Sequence, residues 1–254
     1  MQLNALLEAS AQTTNVVKWV SVAGIFVLFI VIALLCIRGD KHYDAKRLAF
    51  AGISLGLSFV LSFIKVEPVL YGGSVTAASF VPVLIYTYVY GVTDGLLVGL
   101  IFGLFNFATS PYILTPMTFV LDYLLAFASI GAMGFAKKFT KKTTFNVVLG
   151  TIAVYVVRFI FHLISGFIYF SMDSIWVELP AWALSNAFIY SFIYQCIYIP
   201  ADCAIAAVVM YVLAKAKVID QLGKLMKPGY KNRAAHAPES AAQAETAASD
   251  TEQK

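Results

Sequence analysis

The chain has 254 residues, of which 60% are hydrophobic and 13% charged, and a formal net charge of +4. A soluble fold of this length cannot bury so much apolar surface, so the excess faces lipid. The positive charge sits in clusters between apolar runs, which excludes a nucleic-acid surface as its purpose.

A spanning helix takes about 20 mostly apolar residues. Runs of this kind lie at 16–37, 47–64, 75–90, 92–108, 117–136, 145–170 and 185–214. Before the first run, Met1 to Thr14 carries Glu8 and no basic cluster, and Arg38-Gly-Asp-Lys-His follows it in place of a cleavage site. An anchoring helix that stays in the mature protein is therefore expected, not a signal peptide.

The second run opens on Ala45, Ala49, Gly52 and Gly56, whose spacing keeps them on one helix face. Such a face either packs inside the bundle or receives a partner subunit. Only Gly91 separates the third run from the fourth, which carries Gly91, Gly95, Gly99 and Gly103 at every fourth position. Lipid supplies no hydrophobic drive between helices, so this small-residue stripe is expected to be a close packing surface within the bundle.

A charge at mid-membrane costs at least ~2.5–3.5 kcal/mol, so each needs a reason. Asp122 lies near the outer end of the fifth run, and Arg158 and His162 share one face of the sixth. For Arg158 the plain expectation is an ion pair, with Asp122 the available partner, or snorkelling toward the headgroups. For His162 it is a hydrogen bond between helices. Tyr112, Tyr123, Tyr169, Phe170, Trp176, Trp182, Tyr190, Tyr194 and Tyr198 crowd the same outer end. Taken singly these rings suit an interfacial belt. Together with a carboxylate and an imidazole they suit capture of a flat or cationic heteroaromatic ligand.

Basic residues set the orientation. Arg38, Lys41, Lys46 and Arg47 lie between the first two runs, Lys137, Lys138, Lys141 and Lys142 between the fifth and sixth, and Lys215, Lys217, Lys224, Lys227, Lys231 and Arg233 after the last. Seven spans would place all of them on the cytoplasmic side, with the N-terminus outside. Cys36, Cys196 and Cys203 lie in or beside apolar runs and offer neither a disulfide framework nor metal-ligand spacing. No Walker A or H-E-x-x-H sequence occurs, so neither ATP hydrolysis through that loop nor that metalloprotease chemistry is expected of this chain. The end of the chain, rich in Ala, Glu, Gln and Ser over 234–254, cannot bury enough to fold.

Several stretches together resemble a known family. They are Gly72-Gly73-Ser74, Phe80-Val81-Pro82, the glycine stripe from Gly91, Tyr112-Ile-Leu-Thr-Pro116 and Leu121-Asp122-Tyr123-Leu124-Leu125-Ala126-Phe127. Arg158 to Gly166, Tyr190 to Gln195 and Tyr198-Ile-Pro200 continue the likeness over roughly 45–214. This ordered set resembles the thiamine-specific substrate-binding subunits (S-components) of energy-coupling factor transporters. The resemblance implies an all-α, polytopic membrane bundle with a six-helix core, to which the first helix here is an addition. With composition, this divides the chain into an N-terminal segment with the additional helix (1–44), a six-helix substrate-binding core (45–217) and a tail expected to be disordered and cytoplasmic (218–254).

It further implies that the protein is no enzyme and holds no cofactor of its own. Thiamine would be captured from outside, and ATP would be used by two cytoplasmic ATPases that work with a transmembrane coupling protein. Carried over residue by residue, Tyr112, Asp122, Tyr123, His162, Phe170, Tyr190 and Gln195 would line the ligand, under loops near 65–74 and 171–183. Ala45, Ala49, Gly52 and Gly56 would dock on the coupling protein. The family's glutamate is Asp122 here, its asparagine Gln195 and a pocket tryptophan Phe170. These exchanges keep open a thiamine precursor or another small heterocycle as ligand. A membrane sensor or intramembrane enzyme is the remaining alternative, supported by the extra helix and the long tail.

Overall fold

The computed structural model describes residues 44–67, 73–109, 116–170 and 186–226, so the run at 16–37, expected to form an additional first helix, lies outside the described residues. Within them the order is α1 (Ala45–Ser62), β1 (Lys65–Val66), β2 (Val75–Thr76), α2 (Val81–Tyr90), α3 (Val92–Thr109), α4 (Pro116–Lys138), α5 (Thr143–Phe170), α6 (Ala187–Lys215) and α7 (Val218–Met226). Helices α1, α3, α4, α5 and α6 are each long and apolar enough to cross a membrane. The class is the expected all-α, multi-pass bundle.

Helix α1 starts at Asp44, whose side chain accepts the Arg47 amide at 2.8 Å. It turns Ser54, Leu55, Ser58 and Ser62 into the bundle. Ala45, Ala49, Gly52 and Gly56 face outward, and a Cβ added at Gly52 or Gly56 would meet nothing within 4 Å. This small-residue face has no packing partner among the described residues.

The run at 75–90 is not one continuous helix. Residues 75–76 pair antiparallel with 65–66 in a short hairpin, which β-branched Val66, Val75 and Thr76 favour. The chain then turns through Ala78, at φ 58°, into α2. Ten helical residues rise only about 15 Å, half the hydrocarbon thickness. Helix α2 therefore sits inside the bundle, with every residue from Val81 to Val89 buried. Gly91, at φ 108°, ends it and lets α3 begin at the next residue.

The glycine stripe of α3 packs against α4, as its spacing predicts. A Cβ at Gly95 would fall 2.9 Å from Gly131 Cα, one at Gly99 would strike the Phe127 carbonyl, and one at Gly134 would fall 2.6 Å from the Gly91 carbonyl carbon. Lys137 Nζ continues the line, donating to Val89 O at 2.9 Å. The stripe advances by four residues on α3 and by three on α4, where Ser129–Lys138 is 3-10 helix. Four α-helical residues rise about 6 Å, and three 3-10 residues also rise about 6 Å. Residues three apart eclipse in a 3-10 helix, so Ala128, Gly131 and Gly134 form one row that matches Gly99, Gly95 and Gly91 step for step. A long 3-10 stretch is costly, and this matched backbone contact is what offsets it.

Helix α6 opens on Asn186, whose side chain accepts the Phe188 amide at 2.9 Å and the Ile189 amide at 3.2 Å. It contains Pro200 and packs along α5. The tail expected from residue 218 begins instead with α7, an amphipathic helix that buries Ile219 and Met226. Tyr90 donates to Met226 O at 2.7 Å, so α7 is pinned across the end of α2. A tail boundary at 218 missed the apolar stripe Ile219, Leu222, Met226, while the compositionally polar stretch 234–254 lies outside the described residues.

Candidate functional site

Asp122 and His162 meet. His162 Nδ1 lies 2.7 Å from Asp122 Oδ1, and Ser165 Oγ donates to Asp122 Oδ2 at 2.6 Å. What turns Asp122 toward α5 is a local widening of α4. Val120–Leu125 is π-helical, and the Ala126 amide bonds Leu121 O five residues back. Such a bulge re-aims the side chains on it and is frequent at functional sites. Asp122 is the most open member of the cluster, its side chain 29% exposed against 11% for His162.

On its other side His162 Nε2 accepts from Arg158 Nε at 3.3 Å, which leaves Nδ1–H to donate to Asp122. Arg158 does not snorkel and does not pair with Asp122. Its guanidinium lies 4.5 Å from the Phe80 ring centre and 5.2 Å from that of Phe127, and its Nη1 meets Asp202 Oδ2 at 3.4 Å. Asp202 is 2% exposed and fully engaged. It accepts from Tyr155 Oη at 2.8 Å and from both the amide and the hydroxyl of Thr76 at 2.9 Å. One connected path of side chains therefore runs from Ser165 through Asp122, His162 and Arg158 to Asp202, and ends at the foot of the β-hairpin. A buried charge needs such partners, and Asp122 is at the wrong height to be Arg158's.

Gln195 closes the cluster from α6. Its Nε2 donates to His162 O at 3.2 Å, and its Oε1 accepts from Tyr198 Oη at 2.6 Å. Tyr190 is buried and stacks on Tyr194 with ring centres 6.4 Å apart. Tyr123 packs edge-on to Phe107 at 5.2 Å. Asp122, His162 and Gln195 are thus brought together, with Tyr123 beside Asp122 in sequence and Tyr190 five residues before Gln195 on α6. Tyr112 lies outside the described residues, as do the side chain of Phe170 and the loop at 171–183.

Two buried carboxylates escaped the sequence reading. Asp202 had a signal, a lone charge two residues after Pro200 in an apolar run, which called for a cationic partner. Asp94 is the other, 2% exposed beneath Arg47. Arg47 Nε donates to Asp94 Oδ1 at 2.9 Å and its Nη2 bonds Oδ2, while Tyr86 Oη donates to Asp94 at 3.3 Å. Arg47, counted by sequence only as part of a basic cluster, ties α1 to α3.

Three likenesses to known proteins accompany this geometry. A family model described as thiamine transporter protein matches residues 48–220. The thiamine transporter ThiT of Bacillus subtilis (strain 168) is 30% identical over 152 residues, covering 56% of this chain and 75% of that protein. A solved structure of ThiT from Listeria monocytogenes shares the fold with a TM-score of 0.57 at 22% identity, covering 72% of this chain and 97% of that one.

Proposed function

The chain belongs to the thiamine transporter protein family, and from that premise we propose that it is the substrate-capturing subunit of an energy-coupling factor importer, with thiamine as ligand. The observation that carries this reading is the Asp122–His162 pair, built on a π-helical turn where a helix end opens among tyrosines. Thiamine joins a hydrogen-bonding aminopyrimidine to a cationic thiazolium. Asp122 supplies a negative acceptor, His162 a flat ring, and Tyr123, Tyr190 and, by family resemblance, Tyr112 and Phe170 supply aromatic faces. A carboxylate can accept about four hydrogen bonds, so Asp122 would take ligand donors while keeping those from His162 and Ser165, and binding would cost little unsatisfied polarity.

Transport itself falls to partners. This chain supplies no ATPase motif, and the open face of Ala45, Ala49, Gly52 and Gly56 on α1 suits close approach by a helix of the coupling protein. Two cytoplasmic ATPases would drive that partner. The orientation proposed is C-terminus in the cytoplasm and capture site outside. Lys142, Lys215 and Lys217 lie together at one end of the bundle, away from Asp122 and His162, and this supports it through the positive-inside bias.

A second reading keeps the frame and changes the ligand to a thiamine precursor or another small heterocycle. It is favoured by Gln195, whose amide is engaged on both sides by His162 O and Tyr198 Oη. Titration of the purified protein with thiamine, read by tryptophan fluorescence and by calorimetry, separates them. Saturable binding that competing precursors do not displace supports thiamine. A flat response to thiamine with saturable precursor binding decides for the second reading, and no binding of either refutes both.

A further inference from the structure

A groove of about 680 Å³ opens at the lysine-rich end of the bundle, between the start of α5, the end of α6 and the turn into α7. Lys142, Lys215 and Lys217 line it, with Thr143, Thr144 and Asp220. Asp220 accepts from Thr143 Oγ1 at 3.0 Å, and none of the three lysines has a carboxylate within ion-pair distance among the described residues. The turn that carries Lys142 is held in place by Asn146, which is 3% exposed. Asn146 accepts from the Thr140 amide at 2.8 Å and returns a bond to Thr140 O at 2.8 Å.

The groove has two chemical halves. Its other walls are Phe145, Val148 and Tyr211, and Phe145 and Tyr211 are about half exposed on the flanks of two membrane-spanning helices. Polar positive ground therefore runs directly into lipid-facing apolar ground. Lys217 adds an independent sign. It stops α6 at φ 58°, the left-handed region where glycine is the ordinary helix-ending residue. A lysine there spends stability, and the position sets its side chain on the groove beside Lys142 and Lys215. Backbone strain held at such a point asks for a use.

We propose that this groove binds one anionic phospholipid, its phosphate among Lys142, Lys215 and Lys217 and its acyl chain along Phe145, Val148 and Tyr211. Basic pockets between helices at the membrane surface recognise lipid headgroups by this combination of charge and apolar continuity. The inference requires only the membrane-spanning fold and is independent of the transported ligand.

The test is native mass spectrometry of the full chain in neutral detergent, with phosphatidylglycerol or phosphatidylcholine added. Wild type should retain one phosphatidylglycerol in preference to phosphatidylcholine. Each lysine near an anionic headgroup is worth about fivefold, so Lys142→Gln, Lys215→Gln and Lys217→Gln together should weaken retention roughly a hundredfold. Lys138→Gln, Lys141→Gln and Lys224→Gln remove the same charge off the groove lining and should leave it within about twofold. Equal losses in the two triple variants, no headgroup preference in wild type, or displacement of the lipid by inorganic phosphate would each overturn the proposal. Lys217→Gly guards against a folding artefact, since it relieves the strained backbone. It should melt no lower than wild type and yet bind phosphatidylglycerol about fivefold more weakly, and unchanged retention in that variant would overturn the assignment.

Discussion

Replacing Asp202 by Ala tests the buried path directly. The substitution removes the acceptor for the Thr76 amide and hydroxyl, for Tyr155 Oη and for Arg158 Nη1, all from a site 2% exposed. It also strands Arg158, itself 9% exposed, with only ring faces and His162 for company. Removing one partner of a buried pair typically costs about 3–5 kcal/mol, because the remaining charge stays desolvated. For a domain of this size that corresponds to a fall in melting temperature of roughly 6–20 °C. Thermal unfolding of detergent-purified protein, followed by intrinsic fluorescence, measures it. Adding Arg158→Met removes the stranded charge, so the double variant should be more stable than the sum of the single losses by more than about 1 kcal/mol. A melting point within about 2 °C of wild type for Asp202→Ala would refute the reasoning. Simple additivity in the double variant would show that the two residues are not coupled.

Asp122→Asn should leave melting nearly unchanged but weaken thiamine binding about 10- to 150-fold by calorimetry, the range for losing a hydrogen bond to a charged group. Wild-type affinity in that variant would remove Asp122 from the site. Gly99→Val forces side-chain atoms against the Phe127 carbonyl and should destabilise the isolated subunit by about 1–3 kcal/mol in the same melting assay. Gly52→Leu and Gly56→Leu point into open space and should not change melting, yet should abolish co-purification with the coupling protein. Retained co-purification would separate that face from docking.

Much of the architecture was written locally. Apolar runs too long for a soluble core marked the membrane class, and glycine at every fourth position of α3 announced a close helix contact. The pairing of Asp122 with His162 was foreshadowed only as two polar groups that lipid could not leave alone. Local pattern did not disclose which charge answered which. Arg158 lies four residues from His162 and closer in sequence to Asp122 than to Asp202, yet Asp202 on α6 holds it, because helix packing brings Asp202 to its height. The short reach of α2 was equally hidden. An apolar run of 16 residues at 75–90 reads as one spanning helix until its first residues pair with Lys65–Val66 and leave a ten-residue helix buried from Val81 to Val89.

Composition and periodicity determined by themselves that this chain lives in lipid as a helical bundle, since each apolar residue must choose water or hydrocarbon wherever the helix later sits. Tertiary structure alone decided the site. The π-helical turn aimed Asp122, the matched rises of an α-helix and a 3-10 helix locked α3 to α4, and Asp202 was paired to Arg158. Those outcomes depend on distances between segments far apart in the chain, which become defined only when backbones touch.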